Sequence, residues 1–260
     1  MKCIVRYTQN MRNVNPTRGF YAYLESAGEV FNQKLFGNTL PAPLFTLRRH
    51  GHGLGYFSGR RWSAGSGKRV NEITLNPELF AQRPLLTLLL TIVQAQCDMW
   101  QHLHGEPSRP GYRNAQWTRK MIDIGIKPVS RDEQSQRQTG QGLDLIPQPG
   151  GKFLAACAEI AGDSGRPPFS ERWLKSEITP ERPLADLPKD ISKLLSSPVG
   201  PAVIDPQLQE QMDLKEAKRK IKYTCLNCDV NVWGRPNLAL ICALCGEKLR
   251  PKQRARTKDC

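Results

Sequence analysis

The sequence predicts an α+β fold, with a helix pair packed on a small sheet, followed by a small C-terminal module held by four cysteines. Three observations predict it. Phe20, Leu24, Ala27 and Phe31 recur at helical spacing, and a second, longer helical stretch, rich in apolar residues, fills residues 84–104. Between the two lie short strand-like pieces set apart by Gly, Ser, Arg and Asn. Near the end, Cys225, Cys228, Cys242 and Cys245 form two C-x-x-C pairs.

The first helix is expected over residues 17–33, started by Asn15-Pro16-Thr17 and ended by Leu40-Pro41-Ala42-Pro43. Strands are expected at 44–47, 55–58 and 72–75. The long helix takes Pro84 into its first turn and ends at Gly105-Glu106-Pro107. A further helix over 114–124 stops at Gly125. Residues 129–151, rich in Gln, Ser, Gly and Arg, read as exposed loop, and 151–161 as a short helix. The proline-rich stretch 164–206 reads as a flexible connector, and 208–222 as a helix with a basic end. The expected organisation is a globular domain at 1–128, loop and linker at 129–213, a basic helix end with the cysteine module at 214–250, and a basic tail at 251–260.

The 38 Lys and Arg outnumber the 24 Asp and Glu, a net charge of +14, and this excess points to a polyanionic partner such as nucleic acid. A generally basic protein with no such partner is the bland alternative. The longest apolar run, residues 85–93, is interrupted by Thr87 and Thr91 and is too short for a bilayer, which needs about 20 residues. No basic amphipathic helix with a strong apolar face is evident, so no membrane partner is expected. The N-terminus has basic residues but no apolar segment behind them, so a signal peptide is not expected. Paired C-x-x-C units in such a chain read as metal ligands in a reducing compartment, which gives a cytoplasmic expectation, with nucleoid association compatible.

Two thiolates separated by two residues can face one ion, and two such knuckles complete a tetrahedral four-thiolate shell. Cys225, Cys228, Cys242 and Cys245 are therefore expected to hold one structural zinc ion per chain. Gly246 suits the turn after the last ligand, and Val230, Val232, Trp233, Leu238, Leu240 and Ile241 are the apolar residues that a small hairpin would bury. A closed shell leaves no position for substrate, so this zinc is structural. Basic residues flank the module. Lys218, Arg219, Lys220, Lys222, Arg250, Lys252 and Arg254 are the candidates for phosphate contact, against the alternative of a solvated basic tail.

The long helix carries a resemblance. Thr91-Ile-Val-Gln94-Ala95-Gln96-Cys97-Asp98-Met-Trp100-Gln101 resembles the zincin helix of the SprT-like family, whose pattern there is T-L-v-H-E-x-x-H-x-W-Q. Residues 43–58, ending in Gly55-Tyr56-Phe57-Ser58, and Ile73-Thr-Leu-Asn76-Pro77 are similar to the strands preceding that helix. Gly105, Pro107, Gly111-Tyr112-Arg113-Asn114 and Trp117 follow its G-x-P…G-Y-H-N-x-x-W block. Thr139-Gly140-Gln141 and Gly150-Gly151-Lys152-Phe153 resemble a later block, and a zinc ribbon occurs in bacterial members. The resemblance implies a zincin-like first domain.

It also exposes departures. In a working zincin, two His at i and i+4 bind zinc, and the Glu beside the first activates the metal-bound water. Gln94, Ala95 and Asp98 stand at those three positions, and Arg113 stands where the pattern has its third His. An Asp98–Arg113 ion pair is expected to fill the place of the metal. His50, His52, His102 and His104, the only histidines, are expected at the surface, against the sharper idea of a site rebuilt from His102, His104 and Asp98. Cys97 reads as a buried small hydrophobe. The expected function is a catalytically inactive SprT-like zinc-ribbon protein that binds DNA or a DNA-associated protein complex, with no small-molecule substrate. Two rivals remain: a metallopeptidase with atypical ligands, and a protein-interaction scaffold that does not bind nucleic acid.

Overall fold

The computed structural model describes residues 15–49, 53–81, 83–132, 135, 137–170, 187–200 and 220–251, apart from the Phe80 side chain. The chain divides into two compact units, residues 1–202 and 203–260.

In the first unit, helix α1 spans Pro16–Phe36. The Asn15 side chain accepts from Arg18 N–H at its start, and Gly37 closes it with φ 61°. Strands β1 (Leu44–Leu47), β2 (Gly55–Ser63) and β3 (Arg69–Leu75) form one sheet in the order β1-β3-β2. Strand β1 runs parallel to β3, with Phe45 opposite Ile73, while β2 runs antiparallel, with Phe57 opposite Ile73. A short helix α2 (Pro77–Phe80) leads to α3 (Leu85–His104), the central helix.

Helix α4 (Ala115–Asp123) is capped by Asn114, whose Oδ1 accepts from Trp117 N–H at 3.1 Å. The chain then reverses at Gly125, where φ is +90° and an added Cβ would lie 3.0 Å from the Gly151 backbone. Only glycine fits there without strain. Residues 129–151, expected as loop, instead contribute to the hairpin of β4 (Ile126–Ser130) and β5 (Leu143–Pro147). Pro128 and Pro147 look like breakers in sequence, but a two-stranded ribbon has outer edges where a missing N–H is harmless.

Helices α5 (Lys152–Asp163) and α6 (Lys189–Ser196) follow. Phe153, Cys157, Ile160, Leu195 and Val199 join the same core as Leu24, Phe31, Ile73, Leu88, Ile92 and Trp117. The segment read as connector therefore supplies core residues. The rings of Phe31 and Phe153 stack at 5.9 Å, which joins α1 to α5. Residues 197–200 return to the start of α3: Leu85 N–H donates to Ser197 C=O at 3.0 Å, and Val199 N–H donates to Arg83 C=O at 2.9 Å. Pro84, which offers α3 no side-chain cap, is thereby backed by a later part of the chain.

The second unit is a three-stranded antiparallel sheet of β6 (Ile221–Thr224), β7 (Asn231–Gly234) and β8 (Arg250–Pro251), in the order β7-β6-β8. Its small core holds Tyr223, Cys225, Cys242 and Leu249, with Val230 and Leu240 packed against it. The Tyr223 hydroxyl donates to Arg235 C=O at 2.6 Å and accepts from Leu238 N–H at 3.0 Å, which fixes the arm between the cysteine pairs. Val232, Trp233, Leu238 and Ile241, expected to be buried in that arm, are exposed instead. One tyrosine, one leucine and the thiols already fill the space. The helix expected to run to residue 222 lies mostly outside the described residues, and its last two positions belong to β6. Among the described residues, no helix is long and apolar enough to cross a membrane.

Candidate functional site

Two clusters carry chemistry, one in each unit. In the second unit the Sγ atoms of Cys225, Cys228, Cys242 and Cys245 all lie within 4.8 Å of one another. A tetrahedral zinc ion with Zn–S bonds of about 2.3 Å sets its sulfurs about 3.8 Å apart, so the donor set fits zinc. Cys225 and Cys245 Sγ are 3.4 Å apart.

The two knuckles share one backbone pattern. Asp229 N–H donates to Cys225 C=O, and Gly246 N–H donates to Cys242 C=O. Cys225 N–H donates to Val230 C=O, and Cys242 N–H donates to Glu247 C=O. Asp229 and Gly246, the residues after each second cysteine, both take positive φ, at 53° and 75°. The Glu247 backbone N–H is the main influence drawing the Cys245 thiol down to about 7, toward the thiolate a metal requires. The thiol of Cys228 is pushed the other way, chiefly by its hydrogen bond to Cys245. When bound, zinc would supply a structural cross-link between the knuckles, with no open coordination position.

Of the basic candidates, Lys220, Lys222 and Arg250 are described. Lys218, Arg219, Lys252 and Arg254 lie outside the described residues. Lys222 Nζ stands 5.6 Å from the centroid of the exposed Trp233 ring. Leu226, Asn227, Glu247, Lys248 and Arg250 line an open cleft of about 320 Å³ beside the first knuckle.

In the first unit, α3 presents Gln94, Ala95 and Asp98, with Ala95 buried and the other two half-buried. Arg113 precedes α4 and is held by reciprocal backbone hydrogen bonds with Gly140, both 2.8 Å. Gln101 Nε2 donates to Asn114 Oδ1 at 2.7 Å and to Gln116 Oε1 at 3.0 Å, which ties the end of α3 to the start of α4. This framework brings Arg113 Nη2 to 2.7 Å from Asp98 Oδ2. Trp117 Nε1 donates to Asp98 Oδ1, also at 2.7 Å. The Arg113 guanidinium lies 4.9 Å from the Trp117 ring centroid. Burial pushes the Asp98 carboxyl up to about 6, against the lowering effects of the Arg113 charge and the two hydrogen bonds.

His102 and His104 are exposed, and the His102 ring packs against Phe57 at 5.5 Å. His50 and His52 lie outside the described residues. Among the described residues, the four cysteines alone bring three or more such metal-ligand side chains together. Cys97 is buried, and desolvation raises its thiol well above the ordinary value, which leaves it inert at neutral pH. Sequence spacing did not foretell the role of Trp117 as Asp98's second donor, because one turn of α4 must first be laid against α3.

No family model matches the chain, and no solved structure does. Over 73 residues the chain is 42% identical to the "Uncharacterized protein in mucB 3'region" of Salmonella typhimurium, a stretch that covers 99% of that protein and 27% of this chain. The chain belongs to that protein's family. The likeness concerns about a quarter of the chain, so the chemistry of the remainder rests on its own residues.

Proposed function

We propose that this chain is a zinc-ribbon protein whose SprT-like first unit has lost hydrolysis and which works by binding DNA or a DNA-associated protein complex. The observation that carries the reading is the Arg113 guanidinium bonded to Asp98 beside Ala95. In a zincin-like site this is where a cation would sit between the helix ligands and a third donor. A guanidinium is permanently charged, so it occupies that place and repels a second cation. Ala95 has no group to take a proton from water, and the loss of a general base alone costs about 10²–10⁴-fold in rate.

The binding half of the reading is supported by the net charge of +14 and by Lys220, Lys222, Lys248 and Arg250 around the ribbon. Such groups contact phosphates without reading sequence.

Metal analysis of the purified full chain tests the first half, and salt-dependent DNA binding tests the second. One zinc per chain and no chelator-sensitive cleavage of casein are expected. A second zinc together with such cleavage would restore the metallopeptidase rival. A log–log slope of affinity against salt near zero would favour the scaffold without nucleic-acid contact.

A further inference from the structure

We propose that the outer face of the β1–β3–β2 sheet binds single-stranded nucleic acid, with unpaired bases stacking on Tyr56 and Trp62. The inference rests on the nucleic-acid half of the reading above, but it assigns a surface in the first unit that is separate from the ribbon.

Strand β2 alternates. Gly55, Phe57 and Gly59 face α3: a Cβ at Gly55 would lie 2.8 Å from Thr91 Cγ2, the Phe57 ring packs on His102, and a Cβ at Gly59 would lie 2.7 Å from His102 Nε2. Tyr56, Ser58 and Trp62 therefore occupy the opposite face, where they pair with Thr74, Glu72 and Val70. Tyr56 is 44% exposed and Trp62 46%, so both aromatic side chains are accessible.

Cations lie along and beside the same strands. Arg48 Nη1 donates to the Tyr56 hydroxyl at 3.4 Å, and Arg61 Nε lies 3.3 Å from Glu72 Oε2. Arg60 sits in the bulge of β2 with φ 53°, its N–H donating to Asn71 Oδ1 at 2.9 Å. Residues 55–75 contain Arg60, Arg61, Lys68 and Arg69 and only one acid, Glu72. That acid is buried, takes a hydrogen bond from Thr46 Oγ1 at 2.7 Å, and is offset by Arg61.

Open aromatic faces within a track of guanidinium groups are the two parts that single-strand binding uses. Duplex DNA keeps its base faces stacked and hidden, so these rings select unpaired bases. The two rings are separated in register by the stretch from Thr74 to Val70, about 13 Å at strand spacing, so each engages a different base. Ser58 and Thr46 add hydroxyls to this face, and Leu44, 41% exposed opposite Glu72, adds one apolar side chain.

The test is fluorescence anisotropy with labelled dT20 and a labelled 20-base-pair duplex, using the full-length, zinc-loaded chain. The double variant Tyr56→Ala/Trp62→Ala should bind dT20 at least about 10-fold more weakly, since each stacked ring contributes about 5–150-fold. Duplex affinity should change less than about twofold, and Tyr56→Phe/Trp62→Phe should keep dT20 affinity. If the alanine variant unfolds, Arg48→Gln/Arg60→Gln should reduce the salt slope for dT20 by about 1.4. Wild-type affinity for dT20 in the folded alanine variant, or an unchanged slope in the glutamine variant, would overturn the inference. Binding of duplex without binding of dT20 would also overturn it and leave the wider reading standing, whereas no salt-dependent binding to either would sink both.

Discussion

Replacing Arg113 with leucine isolates the energetics of the Asp98 cluster. The variant removes the partner 2.7 Å from Asp98 Oδ2 and leaves the carboxylate with Trp117 Nε1 as its remaining side-chain donor. Breaking a buried pair by deleting one partner costs about 3–5 kcal/mol. Here the side chains are 24% and 14% exposed, so solvent relieves part of this, and about 2–3 kcal/mol is expected at pH 8. For a unit of this size that lowers Tm by roughly 5–10 °C.

The pH dependence gives the sharper signature. The folded value of Asp98, about 6, stands above its ordinary 3.8, so stability from this group is fully present below pH 3.8 and is lost as pH rises through about 6. At about 1.4 kcal/mol per pH unit, the interval corresponds to about 3 kcal/mol. Without Arg113 the folded value moves higher still, so the loss continues to higher pH. Wild type and Arg113→Leu should therefore differ little at pH 5 and diverge steadily above pH 6. Asp98→Asn/Arg113→Leu should recover part of the lost stability, because no buried charge remains unpaired. Thermal unfolding followed by near-ultraviolet circular dichroism at pH 5, 6, 7 and 8 measures all of this. An equal gap at pH 5 and pH 8, or no gap at pH 8, would refute the reasoning.

Cys225→Ser should lower bound zinc from one ion per chain to none by mass spectrometry of the metal, and the second unit should lose its protection against proteolysis. The binding energy at such sites, about 10–16 kcal/mol, is the folding energy of the module. Gly125→Ala should destabilise the first unit by about 1–3 kcal/mol in urea unfolding, because φ +90° and the Gly151 backbone at 3.0 Å both oppose a Cβ.

The parts of the fold that were legible in sequence are those with strong local periodicity. Phe20, Leu24, Ala27 and Phe31 mark α1, and the apolar stretch of residues 85–93 marks α3. The cysteine cluster was legible because ligand spacing is itself a local geometry. What escaped was assembled from distant pieces. The β4–β5 hairpin carries Pro128 and Pro147 close together on one face and has strands of only five residues, so its alternation is too short to read against the breakers. Helix α6 is eight residues long and gives a weak signal, yet Leu195 is fully buried. The Asp98–Arg113 contact was anticipated from the resemblance alone, since composition gives no reason for those two residues to meet. Trp233 and Ile241 look like core in sequence and lie at the surface, because a module this small has room for very few side chains inside.

The hydrogen bonds that residues 197–200 make to Ala81, Arg83 and Leu85 have a consequence for synthesis. The first turn of the central helix finds these partners only in the last stretch of its unit, so a chain emerging from the ribosome carries α3 with an unfinished beginning until almost the whole unit has been made. Its long apolar face must wait through that interval. Fragments that stop short of residue 197 should consequently aggregate where the complete unit stays dispersed.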